Sequence, residues 1–205
     1  MKMLHPPALV ALALTMPLLA NADEHLPLPN KAGSDYDSAL AVAVRNATSS
    51  FQHASVRQLT AAGYVQATPC VSGPDEGAMG VHWINFMNLG QFNSLGQLDL
   101  TKPPVLIFEP QSDGSQQLVG VEYVLPLPIW QGANPGAPAD PYNPPPGGAS
   151  LTPSVDGQLM NFQPVPNRFG QGDSFYLHLW AWRPNPKGLF SDWNPNVTCA
   201  NQPHS

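Results

Sequence analysis

Residues 175–195 read FYLHLWAWRPNPKGLFSDWNP, and the alternation in their first eight residues decides the fold. Side chains of a β-strand point in turn to the two faces of a sheet. One face of this strand is purely apolar and predicts core packing, with Phe175, Leu177, Leu179 and Ala181. The other face places His178 in a row of large aromatics, Tyr176, Trp180 and Trp182. We therefore predict a central strand whose second face borders a cavity or groove.

The rest of this stretch predicts a different structure. Pro184, Pro186 and Pro195 remove backbone donors, so the chain cannot continue as a central strand. Two Asn-Pro pairs and a glycine favour turns. The stretch is expected to wind as a turn-rich tail toward Cys199.

Three further apolar runs predict strands. They read MGVHWIN at 79–85, VLIFE at 105–109 and QLVGVEYVL at 117–125, with Gly, Pro, Asn and Asp between them. No long helical pattern separates these runs, which favours antiparallel pairing over βαβ units. We expect an antiparallel sheet or a small cupin-like barrel within residues 70–199.

Helices are predicted only before the strands. Residues 34–51 have apolar side chains at spacings of three and four, with Ser34 as the predicted N-cap. Residues 55–62 begin with the capping-box pair Ser55 and Gln58 and end before Gly63. The predicted fold class is α+β, with the helical segment 34–62 packed on the sheet.

Residues 126–173 are rich in proline and glycine and include GANPGAPADPYNPPPGG. Such a composition opposes regular strand pairing and predicts a long exposed loop. A loop of this length in a compact domain is usually a lid or binding loop, or else disordered. The sequence leaves both interpretations open.

The first 22 residues have the layout of a secretory signal peptide. An early Lys2 precedes an apolar run and a small-x-small ending at Ala22. The run is too short to span a membrane, which needs about 20 apolar residues. We predict cleavage near Ala22, a secreted or periplasmic location without a membrane span, and one globular domain over residues 23–205.

The charge balance excludes nucleic acid as a partner. The chain has eight Lys and Arg against fourteen Asp and Glu. Since Lys2 lies in the leader, the mature chain has a net charge near −7. Its few basic residues are scattered, whereas a nucleic-acid-binding domain presents a basic patch.

The two cysteines of this exported chain, Cys70 and Cys199, predict a disulfide. A bridge between them would close a loop of about 130 residues and contribute roughly 4–5 kcal/mol in the chain-entropy model. Metal ligation by the two thiolates is the alternative.

Three of the four predicted strands have a titratable residue in mid-run: His82, Glu122 and His178. Burying such a group is costly unless it is paired or bound to a metal ion. Two imidazoles and one carboxylate form the ligand set of many open transition-metal sites. We therefore predict a metal site that takes copper, iron, zinc or manganese and leaves a position for water, oxygen or a small molecule.

Gly80 and Gly120 each lie two residues before a predicted ligand and on the same strand face as that ligand. A glycine there leaves space for a ligand or for another backbone segment.

Other residues offer further ligands or simpler explanations. Glu109 could be a fourth ligand or could orient a metal-bound histidine. Met79 and Met87 flank His82 and would suit copper, although methionine usually fills gaps in a core. In the structural alternative, each histidine bonds to the backbone, and Glu122 pairs with an arginine such as Arg183 or faces solvent.

Two other functions compete with the metal site. In the first, Tyr176, Trp180 and Trp182 form an exposed aromatic face that binds a glycan or protein partner without catalysis. In the second, Glu109 and Glu122 act as the paired carboxylates of a glycoside hydrolase. Whether the protein is an enzyme is left open, because no nucleophile elbow, zinc-protease helix or phosphate loop is present.

Four motifs carry a resemblance over most of residues 61–199. They are GAMGVHWIN, PPVLIFEP, LVGVEYVLP and LHLWAWRPNPKGLFSDWNPNVTC, with AAGYVQATPC before them. They resemble the GMGVH, LVGVEY and LHxWxWxxNPxGxFxxWNPxVxC motifs of uncharacterised bacterial exported proteins. The chain departs from that pattern at Pro104, where the family has Glu, and it lacks the H-x-H motif of cupins. The resemblance implies export and implies no activity.

Overall fold

The computed structural model describes residues 36–93, 97–135, 137, 152–166, 170 and 172–202. The predicted signal peptide and the predicted N-cap Ser34 lie outside these residues, as does much of the Pro/Gly-rich segment. The predicted domain limits, 23–205, stay a prediction.

A seven-stranded antiparallel sheet forms the centre of the protein. Its strands are β1 Val65–Gln66, β2 Val71–Gly73, β3 Gly77–Ile84, β4 Val105–Pro110, β5 Gln116–Pro126, β8 Asn161–Gln163 and β9 Ser174–Leu179. They pair in the order β1-β3-β4-β5-β9-β8, and β2 also pairs with β3. A separate hairpin pairs β6 Ser154–Val155 with β7 Gln158–Leu159. The pairing path of the described strands ends at β1 and β8, so the sheet is open and not a barrel.

The predicted helical segment is present. It consists of α1 Ala39–Thr48, which continues as a 3-10 turn Ser49–Phe51, and α2 Val56–Ala61. Ser38 caps α1 by accepting a hydrogen bond from the Ala41 N–H. Ser55 and Gln58 form the predicted capping box of α2. The α+β class is thus confirmed, and the cap of α1 that the structure shows lies four residues after Ser34.

Helices α1 and α2 cover one face of the sheet. This face is entirely apolar, as the alternation in β9 predicts. Its buried side chains include Val81, Trp83, Leu106, Phe108, Val121, Tyr123, Phe175 and Leu177, which pack with Leu40, Val44 and Leu59 of the helices. This face forms the larger of the two cores.

The C-terminal tail covers the opposite face. The second core contains Ile84, Val105, Ile107, Val124 and Trp180 from the sheet side and Val197 from the tail. Ala78 of β3 and Asn194 of the tail exchange two backbone hydrogen bonds of 3.2 Å. A Cβ at Gly77, where φ is +91°, would lie 2.2 Å from the Asn194 oxygen, so only glycine permits this approach.

The predicted strand 175–182 is shorter than expected, because β9 ends at Leu179. The N–H groups of Trp182 and Arg183 both donate to the Val119 oxygen, and Arg45 of α1 donates to the Ala181 oxygen. The Trp182 indole turns toward the helices, where it donates to Thr48 Oγ1 at 2.9 Å. The prediction that Trp182 shares the face of His178 is therefore wrong, because strand alternation does not extend beyond Leu179.

The prediction of an irregular loop over 126–173 is wrong in part. Among the described residues, this segment contains α3 Leu127–Ala133, the β6–β7 hairpin and the edge strand β8. Pro128 lies in the first turn of α3, where proline is tolerated, and neither the β6–β7 hairpin nor β8 contains a proline.

A disulfide joins Cys70 to Cys199, as predicted, with a sequence separation of 129 and 5.6 Å between the two Cα atoms. Cys70 precedes β2 at the sheet, and Cys199 lies in the tail. The Cys70 N–H also donates to Gln202 Oε1 at 2.9 Å. The bridge thus fastens the tail onto the second face of the sheet. No described helix has both the length and the apolar character required for crossing a membrane.

Replacing both cysteines by serine should lower the free energy of unfolding by about 2–5 kcal/mol, because the unfolded chain regains the entropy of a long loop. Urea unfolding of the wild type, the double variant and the reduced wild type measures this. Reduced wild type should match the variant. Equal midpoints for all three proteins would contradict a stabilising role of the bridge.

Tyr64 should make the protein sensitive to alkali. Its buried hydroxyl donates to the Pro103 oxygen at 2.7 Å, and burial raises the pKa of Tyr64 to about 12. The raised pKa stabilises the folded state fully below pH 10, and this contribution is lost as the pH rises from 10 to 12. The loss should reach about 2–3 kcal/mol, at roughly 1.4 kcal/mol for each unit. Urea unfolding of Tyr64→Phe at pH 9 and 12 should show a smaller loss than wild type.

Candidate metal centre

His82, Glu122 and His178 lie on three different strands and on the same face of the sheet. Glu122 of β5 is directly opposite His178 of β9. His82 of β3 is separated from β5 by the intervening strand β4, where its partner is Ile107. Ile107 is in turn opposite Gly120, which has no side chain to block the way. The Glu122 carboxylate therefore meets one imidazole beside it and a second one across β4.

The donor atoms of the three side chains converge. Glu122 Oε2 lies 3.6 Å from His82 Nε2 and 3.9 Å from His178 Nε2. One ligand atom from each residue lies within 4.8 Å of the others. Both separations exceed a charge-assisted hydrogen bond, which is about 2.7–2.9 Å long. Two ligands bound at about 2.1 Å in tetrahedral geometry would lie roughly 3.4 Å apart, so the spacing suits ligands around a metal ion.

The three side chains are completely buried, each with 0% of its surface exposed. An ionised carboxylate in such a place is unstable without a compensating cation. That cation is either a proton on an imidazole or a metal ion. The three-residue group can therefore hold either a proton or a metal ion, and its chemistry depends on which of these two cations is present.

The remaining ring nitrogen of each histidine has a partner. His82 Nδ1 lies 3.1 Å from Thr68 Oγ1, which also accepts the His82 backbone N–H at 3.2 Å. His178 Nδ1 lies 3.3 Å from Asp192 Oδ1. The second Asp192 oxygen accepts a hydrogen bond of 3.1 Å from the Tyr176 hydroxyl.

The Asp192 contact favours one tautomer of His178, and the Thr68 contact is compatible with the same tautomer of His82. A carboxylate only accepts, so the Asp192 contact places a proton on His178 Nδ1. The Thr68 hydroxyl has two acceptor lone pairs and can accept both the backbone N–H and the Nδ1–H of His82. With Nδ1 protonated in both neutral rings, the Nε2 lone pairs point toward Glu122. Metal-binding histidines use this arrangement, in which the second nitrogen donates to an oxygen.

Aromatic rings enclose His178 on two sides. The Trp180 ring lies almost parallel to the imidazole, at 9° and 6.1 Å between centroids, and its indole N–H donates to the Ser191 oxygen. The Tyr176 ring meets the imidazole edge-on at 6.0 Å. Two of the three predicted aromatic residues therefore line the site, and Trp182 does not.

The space beside Gly80 and Gly120 is filled by protein. A Cβ at Gly80 would lie 2.6 Å from the Phe108 oxygen, and φ there is +101°. A Cβ at Gly120 would lie 2.9 Å from the Leu179 oxygen and 3.2 Å from the Trp180 ring. Of the two predicted uses of these glycines, the close approach of another backbone is the one that the structure shows.

Glu109 and Arg183 have other roles than those predicted. Glu109 forms an ion pair with Arg183 and accepts the Thr198 backbone N–H at 2.9 Å, which fastens the tail to β4. It is neither a fourth ligand nor the partner of a histidine, and Arg183 does not pair with Glu122. Met87 is 80% exposed and lies outside the site. The predicted roles of Glu109 and Met87 are wrong, because Glu109 is engaged by Arg183 and Thr198 and Met87 is exposed.

Sequence reasoning missed Thr68 and Asp192. Both residues lie outside the regular strands, fourteen residues from the histidine that each contacts. Strand alternation places side chains on a face only within a strand. The only sequence signal for Asp192 was its place in a turn-rich segment that must fold back toward the sheet.

Comparisons of the chain with models of known protein families, with curated proteins and with solved structures find no match.

Gly120→Ala should destabilise the protein by about 1–3 kcal/mol, because the added methyl group would press against β9 and the Trp180 ring beside His178. Gly132→Ala is the matched control, since no other described residue has an atom within 4 Å of a Cβ added there and alanine favours the helix α3. Denaturant unfolding should show a loss for the first variant and none for the second. Equal stability of the two would contradict the tight packing at Gly120.

Proposed function

We propose that this chain is an exported domain that binds a divalent transition metal through His82, Glu122 and His178. The observation that carries the proposal is the convergence of three donor atoms, from three strands, within 4.8 Å in a fully buried position. Imidazole nitrogen and carboxylate oxygen together suit zinc, copper, iron and manganese. The proposal is for the site and its ion class, without an assigned reaction.

The charges of the surrounding groups support a divalent ion. The carboxylate of Glu122 contributes one negative charge, and two neutral imidazoles contribute none. Asp192, held against His178, adds a second negative charge next to the ligand shell. A divalent ion would balance both charges, whereas a single proton would balance only one. Water is excluded from the three ligands, which strengthens each of these interactions.

The chain itself would supply position and tautomer. The strands β3, β5 and β9 fix the spacing of the three ligands, Asp192 accepts the proton of His178 Nδ1, and the Thr68 hydroxyl can accept that of His82 Nδ1. Such partners typically account for a 10–100-fold difference in metal affinity. The bound ion would supply Lewis acidity or redox chemistry, according to its identity.

Export is part of the proposal. The signal-peptide layout of residues 1–22 and the Cys70–Cys199 disulfide support an oxidising destination outside the cytoplasm. The resemblance of residues 61–199 to bacterial exported proteins agrees with this location. It adds no activity.

The aromatic binding surface is not favoured. A surface that stacks on sugar rings needs several exposed aromatic faces in a row. Trp180 is only 1% exposed, and Trp182 packs toward the helices. The carboxylate pair of the hydrolase alternative is not favoured either, since Glu109 is engaged by Arg183 and Thr198.

Metal analysis of the purified protein tests the proposal. We expect about one transition-metal ion per chain, and at least a tenfold lower metal content in His82→Ala and His178→Ala. His53→Ala is the matched control, because His53 is exposed on the loop before α2 and should leave the metal content unchanged.

Glu122→Gln keeps the shape of the side chain and removes its charge. It therefore tests the metal site even if the alanine variants misfold. Circular dichroism should show a folded Glu122→Gln protein with little bound metal. Absence of near-stoichiometric metal from the wild type, after both oxidising and reducing preparation with added Zn²⁺, Cu²⁺, Fe²⁺ and Mn²⁺, would overturn the proposal in favour of a proton shared by the three residues.

A further inference from the structure

We propose that the metal site admits only exogenous ligands of a few atoms, such as azide or a diatomic molecule, and excludes organic ligands of ring size. This inference rests on the proposed metal site and names the ligand class of its open position. It concerns access, which depends on the packing around the cluster.

The His, Cys, Asp and Glu side chains that the structure describes at this site provide fewer donors than a transition-metal ion uses. His82 and His178 each offer one nitrogen, and Glu122 offers one oxygen or two. Zinc, copper, iron and manganese take four to six ligands in proteins. With Glu122 bound through one oxygen, at least one position is left for a molecule from outside.

The packing restricts what can reach that position. All three ligands are 0% exposed, and the second core surrounds them with Ile84, Val105, Ile107, Val124 and Trp180. An interior of this density has few voids larger than a water molecule. A ring-sized ligand would therefore have to displace part of the core.

Tyr176 and Asp192 are partly exposed residues that contact His178 of the cluster. The Tyr176 ring lies against His178 and is half-buried, and 31% of the Asp192 side chain is exposed. Their hydrogen bond of 3.1 Å joins the two side chains across the approach to His178. Small molecules would pass when this pair moves, and larger ones would be stopped by the Tyr176 ring.

Space for an organic ligand lies elsewhere. A cavity with a volume of about 670 Å³ lies between α1 and the β6–β7 hairpin. Leu40, Leu98 and Val155 are among its lining residues, and none of the three metal ligands borders it. A ligand of ring size that bound in this cavity would not touch the metal.

Cobalt-loaded protein tests the inference, because the visible spectrum of Co²⁺ changes when its ligands change. We expect azide to shift the spectrum of the wild type, and imidazole at the same concentration to leave it unchanged. Tyr176→Ala should remove the barrier. Imidazole should then also shift the spectrum, and it should bind this variant at least tenfold more tightly than it binds the wild type. Tyr36→Ala is the matched control, since Tyr36 stacks on Arg45 beside α1, away from the cluster.

Tyr176→Phe gives a second measurement if the alanine variant fails to fold. It retains the ring and removes only the hydrogen bond to Asp192, so imidazole should still be excluded while azide binds faster. Failure of Co²⁺ to bind would overturn the metal site itself. A bound Co²⁺ whose spectrum responds to imidazole as readily as to azide, or to neither, would overturn the small-ligand restriction and leave the metal site standing.

Discussion

The carboxylate of Glu122, completely buried in the middle strand of a seven-stranded sheet, is the constraint on which the rest of the structure depends. A charge in such a position requires a cation nearby and polar groups around that cation. His82 and His178 approach it from both sides, and each is held from behind by an oxygen of Thr68 or Asp192. The second face of the sheet is organised around this single group.

The two faces of the sheet differ in the groups that they bury. The face covered by α1 and α2 is apolar and has the packing of an ordinary core. The other face must enclose polar groups without admitting water, and an irregular tail does this better than a helix. Its turns place Asp192, Asn194 and Thr198 opposite specific atoms of the sheet side. The Cys70–Cys199 bridge then holds the end of the tail in place.

The sequence was informative where regular alternation applied. It predicted the four long strands, the capping box of α2, the disulfide and the three residues that converge in the cluster. Alternation places His82, Glu122 and His178 in the middle of strands, and a mid-strand titratable group implies a partner. It could not show that β4 lies between β3 and β5, because strand order depends on packing across the whole sheet.

The failures lie where the backbone leaves the sheet. Alternation assigned Trp182 to the face of His178, but Trp182 lies beyond the end of β9, where the chain has already turned toward α1. Glu109 was placed by its position at a strand end, and its real partner Arg183 lies 74 residues later. Thr68 and Asp192 belong to segments without periodicity, so only the three-dimensional structure reveals them. The sequence therefore predicts the cluster and not the groups that orient it.

The ligands of the cluster are far apart along the chain, with β4 between two of their strands and α3 and the β6–β7 hairpin between the other two. The three ligands are far apart in the unfolded chain, so an ion would gain all three of them only after the sheet has formed. Because the unfolded chain would hardly bind the ion, nearly all of the metal-binding free energy would stabilise the folded state. A chain exported as we propose would cross the membrane unfolded and without the proposed ion, and it would take up the ion in the compartment where it folds.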